Sequence, residues 1–237
     1  MASTIDLRRR SLVGASGLGA LVLAEPVFAQ PRRQVDSKKR TAESVPVSAP
    51  EDLMREHGVV ERLLLIYEAG VRRLGQGEDI DPAVFVQAAE TMRDFVHDYH
   101  EKSEEEQVFP RFKKAGRMVE LVDVLRAQHA AGRQLTERIL KSAPAARDNK
   151  GERQTMTDAM QAAITMYRPH VSREDTDIFP TLRSLVTPTE FDDLGETLEK
   201  QEIAKFGADG FEKAAKLVEQ LEKKIGIHDL GQFTPKS

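Results

Sequence analysis

The strongest constraint on this 237-residue chain is a spacing that occurs twice. "HEKSEEEQVFP" at 100–110 and "HVSREDTDIFP" at 170–180 share histidine, glutamate four residues on, and a closing Phe-Pro, each displaced by 70 residues. A second pair of segments, "LMREHGVVERL" (53–63) and "LRAQHAAGRQL" (125–135), aligns leucine, histidine and leucine at a displacement of 72. The chain therefore reads as a histidine helix followed by a His-x-x-x-Glu helix, twice over, and four of its six histidines fall at matched positions.

Apolar residues follow the same plan. Leu53, His57, Val60, Leu64, Tyr67 and Val71 step by four and three, so they share one helix face. Met92, Val96, His100 and Glu104 define a second stripe, introduced by Asp81-Pro82 as cap and first helical residue. A third helix, about Met118 to Lys141, presents Leu125, His129, Gly132 and Ile139. A fourth, from near Gly151, aligns Met156, Met160, Ala163, Tyr167, His170, Glu174 and Ile178. Strand-like alternation is nowhere convincing, and charged residues at 31% with aromatics at 5% suit helices. The fold class is all-α: an up-down-up-down four-helix bundle with two additional C-terminal helices. Thr187-Pro188-Thr189-Glu190 is a capping-box start, and the last helix runs from about Gly210 to Ile225, ending at Gly226. These two helices are expected to cover the bundle or to form an oligomer contact.

Residues four apart on a helix lie one above the other. His100 and Glu104 thus point one way, as do His170 and Glu174. Inside a bundle such groups are costly unless paired or coordinated, and two buried carboxylates would be driven toward protonation. A pair of cations removes the difficulty. The candidate metal ligands are His57, His100, Glu104, His129, His170 and Glu174. Taken singly, each has a blander reading. A lone histidine can be a hydrogen-bonded core residue, a His-x-x-x-Glu pair surface decoration, and the run Glu104-Glu105-Glu106 a solvated face. The joint arrangement is what favours a dinuclear centre. With no cysteine, disulfides, thiolate ligands and cysteine nucleophiles are excluded. A net charge of -4 argues against nucleic acid as an obligate partner.

The order His57, His100-x-x-x-Glu104, His129, His170-x-x-x-Glu174, with Phe-Pro closing each pair helix, resembles the hemerythrin family over roughly residues 50–182. The resemblance implies two iron ions with an oxo or hydroxo bridge, His57 and His100 serving one iron, His129 and His170 the other, and Glu104 and Glu174 bridging. Oxygen-carrying hemerythrins have a fifth histidine one turn after the first on the third helix. Here that position is Arg133, so the resemblance is to non-carrier hemerythrin-like proteins. His97, Tyr167, Glu101 and Glu61 remain candidates for an additional ligand or a hydrogen bond to one, and Asp175 is an alternative to Glu174 as bridge. Tyr67 is expected in the core and His228 on the surface.

The N-terminus reads as an address. Arg8, Arg9 and Arg10 precede a short apolar run, Leu12 to Ala24, which closes on Val27-Phe28-Ala29. That run is too short to span a bilayer. Arg9-Arg10-Ser11-Leu12-Val13 resembles the twin-arginine export signal, whose route carries folded, cofactor-loaded proteins. The expected organisation is a signal over 1–29, a disordered linker over 30–49, the bundle over 50–182 and a helical extension over 183–237. The expected location is the periplasm, with no stable membrane insertion after signal removal. The expected function is to bind or react with dioxygen, peroxide or nitric oxide. A di-iron redox enzyme (peroxide decomposition or ferroxidase-like activity) and a purely structural metal are the alternatives. Against ferritin-like oxidases, histidine here precedes glutamate and carboxylates are fewer. Oligomeric state, electron donor and physiological ligand stay open at this level.

Overall fold

Each predicted stripe becomes the inner face of a helix. The computed structural model describes residues 47–235, so the expected signal at 1–29 and nearly all of the expected linker lie outside the described residues. Helix α1 is Ala49–Gly75, with Pro50 in its first turn. Asp81 takes the N–H of Ala83 on its carboxylate and starts α2, one continuous helical run over 83–115. Helix α3 is Val119–Ser142, and α4 runs over 150–182, capped by the Asn149 side chain. Helices α5 (Pro188–Phe206) and α6 (Gly210–Ile225) follow. There is no strand among the described residues. No described helix is long and apolar enough to cross a membrane.

α1 packs on α2 and α4, and α3 packs on the same two, which closes the four-membered ring the repeat predicts. Leu53, Val60, Leu64 and Tyr67 are buried, with Val71 half-buried at the end of the stripe. α5 and α6 lie against α1 and α2, so they cover one side of the bundle. Arg62 on α1 holds Glu222 on α6 through two hydrogen bonds of 2.8 and 2.7 Å. The Thr187–Glu190 capping box forms, and Gly226 ends α6 in the left-handed conformation at φ 71°.

The Phe-Pro pairs do not close their helices. α2 continues past Pro110 to Ala115, and α4 past Pro180 to Leu182. Just before each proline the helix widens: the N–H of Phe109 bonds to the Glu104 carbonyl, and that of Phe179 to the Glu174 carbonyl, five residues back. These π turns accommodate residues that cannot supply an ordinary helical N–H, and such turns concentrate at functional sites. Both open on a candidate ligand.

The core has two apolar clusters. One includes Val60, Leu64, Tyr67, Val96, Ile139, Met160, Tyr167 and Val171. The other includes Leu53, Val108, Phe109, Leu125, Ile178 and Phe179. Every candidate histidine lies in sequence between a residue of one cluster and a residue of the other. The six polar residues of this layer are themselves buried, 0–3% exposed.

Candidate metal centre

The six predicted residues come together at that layer. His57, His100 and Glu104 form one buried triad and His129, His170 and Glu174 another, with potential ligand atoms in each triad within 4.8 Å of one another. The carboxylates face both triads. Glu104 lies 3.6 Å from His100 Nε2 and 3.5 Å from His129 Nε2. Glu174 lies 3.0 Å from His170 Nε2 and 3.3 Å from His57 Nε2. The Nε2 atoms of His129 and His170 are 3.2 Å apart. All four rings turn Nε2 inward.

Their other nitrogens are held from behind. His57 Nδ1 donates to Asp175 at 2.7 Å, His100 Nδ1 to Glu56 at 2.6 Å, His129 Nδ1 to Glu105 at 2.9 Å and His170 Nδ1 to the Gln128 amide oxygen at 3.0 Å. A proton fixed on Nδ1 leaves the Nε2 lone pair free and fixes the plane of the ring, as metal-binding histidines require. The pattern repeats between halves, with two of the four contacts inside a helix pair and two crossing to the other. The residue before His57 holds His100, and the residue before His129 holds His170. The residue after Glu104 holds His129, and the residue after Glu174 holds His57. Asp175 is therefore an orienting group, and the inward carboxylate is Glu174. The Phe of each Phe-Pro stacks on a ring, Phe109 on His129 at 5.6 Å and Phe179 on His57 at 5.4 Å.

Of the further candidates, Glu101, His97 and Tyr167 form a separate buried network. Tyr167 donates to Glu101 at 2.8 Å, His97 Nδ1 lies 3.0 Å from Glu101, and His97 Nε2 is paired with Thr136 at 2.8 Å. Arg133 stands at 3.3 Å from Glu101 and 2.8 Å from Glu105. None of the three belongs to either triad. Glu61 is half-buried and also outside them. Tyr67 is fully buried, and His228 is exposed beside Glu219 and Glu222. Asp52, Glu56 and Glu202 form a further acidic group on the α5 side.

The electrostatics show two buried carboxyls held in opposite directions. Burial and the neighbouring Glu174 charge push the Glu104 carboxyl well above the usual carboxylate range. Glu174 is buried too, but the imidazoles of His170 and His57 hold it below that range. Burial pulls the His57 imidazole down, yet Asp175 and Glu174 outweigh it and raise the ring to about 9. Both oxygens of Glu104, both oxygens of Glu174 and His57 Nε2 are buried with no hydrogen-bond partner. Buried oxygens aimed at imidazole nitrogens from two sides fit a pair of cations, and imidazole with carboxylate suits several divalent metals.

Fold and site define the class: a helical bundle with a histidine- and carboxylate-lined cation-binding interior. A family model described as hemerythrin HHE cation binding domain matches residues 48–182, and the chain belongs to the hemerythrin family. It is 43% identical over 226 residues to the "Uncharacterized protein Rv1995" of Mycobacterium tuberculosis (strain H37Rv), a match covering 94% of this chain and 88% of that protein. "Uncharacterized protein Mb2018" of Mycobacterium bovis matches with the same identity and coverage. No solved structure gives a significant match.

Sequence reasoning missed Glu56, Glu105 and Gln128. The signal was there: each is the immediate neighbour of a candidate ligand, and Glu56 and Gln128 repeat at 72, Glu105 and Asp175 at 70.

Proposed function

We propose that the chain is an exported non-heme di-iron protein whose centre binds or reacts with a small oxidant: dioxygen, peroxide or nitric oxide. His57 and His100 would hold one iron, His129 and His170 the other, and Glu104 and Glu174 would bridge. One observation carries this reading: two fully buried carboxylates, each facing imidazoles of both triads, with all four oxygens lacking hydrogen-bond partners. Bound iron would supply the electron-transfer chemistry. The protein's own part is orientation and exclusion. Four Nδ1 partners fix the rings, and the apolar clusters with Phe109 and Phe179 keep water from the layer.

Arg133 at the position of the carriers' fifth histidine favours redox turnover over reversible carriage. Its guanidinium is committed to Glu101 and Glu105, so that helix turn contributes no imidazole. Export rests on Arg9-Arg10-Ser11-Leu12-Val13 and the apolar run behind it. Stopped-flow spectra of the anaerobically reduced, iron-loaded protein test the reading. Rapid oxidation on mixing with peroxide or dioxygen is the expected result, and a stable, reversible oxygenated band would indicate carriage. A colourless, redox-silent protein with bound zinc would overturn it in favour of a structural metal.

A further inference from the structure

The two imidazole pairs match in what faces the centre and differ in what stands behind them. His57 and His100 are each backed by a carboxylate, Asp175 and Glu56. Glu56 is 1% exposed, and among the described residues neither of these two carboxylates has an ion-pair partner other than its histidine. The other pair is backed more weakly. His170 leans on Gln128, a neutral amide. His129 leans on Glu105 Oε1, and the same oxygen accepts a hydrogen bond from Arg133, at 2.8 Å.

A carboxylate behind a ligating imidazole makes the ring a stronger donor, and removing such a partner weakens metal binding by about 10–100-fold. A neutral amide has no charge to give, and a carboxylate oxygen shared with a guanidinium gives less. The difference lies in side chains, since the two halves of the bundle repeat the same positions. We propose that the two metal positions are unequal: the His57–His100 position holds its ion tightly, and Gln128 and Arg133 make the His129–His170 position the weaker, exchangeable one. This rests on the di-metal reading above. Gln128 and Arg133 act here as positioning residues, through His170 and through Glu105 with His129.

The test is a chelator challenge of the full, anaerobically iron-loaded protein with excess ferrozine, following iron retained per chain. Two phases of equal amplitude are expected, with rates differing about tenfold or more. Gln128→Glu should slow the fast phase and leave the slow one. Glu56→Gln, nearly isosteric, should speed the slow phase, with helicity and melting temperature checking that each variant folds. Both ions leaving wild-type protein in one phase would overturn the inequality alone. A Gln128→Glu effect confined to the slow phase would overturn its assignment. A protein that takes up no iron would overturn the di-metal reading and this inference together.

Discussion

Glu56, on the first helix, accepts the Nδ1 proton of His100, on the second, at 2.6 Å, and both side chains are buried. A ligand candidate on one helix is thus oriented by a residue on its neighbour, so centre and bundle are built from the same contacts. His100→Ala should therefore lose at least one metal ion and also lower the melting temperature, since Glu56 is left buried without its partner. Metal analysis and thermal unfolding check this. Unchanged values for both would count against the assignment.

Metal uptake should depend on pH with a definite sign. In the metal-free protein His57 titrates at about 9, above its ordinary 6.5. Its protonated form stabilises the metal-free fold, fully below 6.5 and decreasingly as pH rises through 9. A cation must displace that proton. Apparent affinity should accordingly rise between pH 6 and 8, by about tenfold per unit for this one proton, with proton release in weak buffer. Flat affinity across that range would contradict the cause given for the shift.

Gly132 lies on the inward stripe of α3 because nothing larger fits. A Cβ there would stand 1.9 Å from the Tyr167 hydroxyl and 2.8 Å from its Cζ. Gly132→Ala should destabilise by about 1–3 kcal/mol as Tyr167 is displaced from Glu101. In a double-mutant cycle with Tyr167→Phe the effects should be strongly non-additive. Denaturant unfolding measures both.

The legible parts of this molecule were the periodic and local ones. Stripes such as Leu53-His57-Val60-Leu64 predicted inner faces, and Thr187-Glu190 and Gly226 announced helix ends through short-range chemistry. The six central residues stood out because the repeat marks them twice. Glu56, Glu105 and Gln128 did not. A polar residue beside a ligand looks like a solvated neighbour until a second helix crosses it. Phe109-Pro110 and Phe179-Pro180 read as helix ends in the sequence, yet both helices run on, because nothing local signals that a π turn will carry the helix past a proline. Whether Asp175 or Glu174 faces inward turns on a similar crossing: Asp175 reaches back to His57 on α1.

Export by the proposed twin-arginine signal is testable independently of the centre. Replacing Arg9 and Arg10 together by lysine keeps the charge and removes the paired guanidinium groups. The full chain should then accumulate inside the cell, in cell fractions probed for the protein. Undiminished export would point to an ordinary secretory signal.

The most direct measurement is metal content with the absorption spectrum of the purified full-length protein, beside Glu104→Ala. The account predicts two iron ions per chain, a near-ultraviolet band from bridged ferric iron, and loss of the band with at least one iron in the variant. Iron-free protein, or a variant with undiminished iron and an unchanged spectrum, would contradict it.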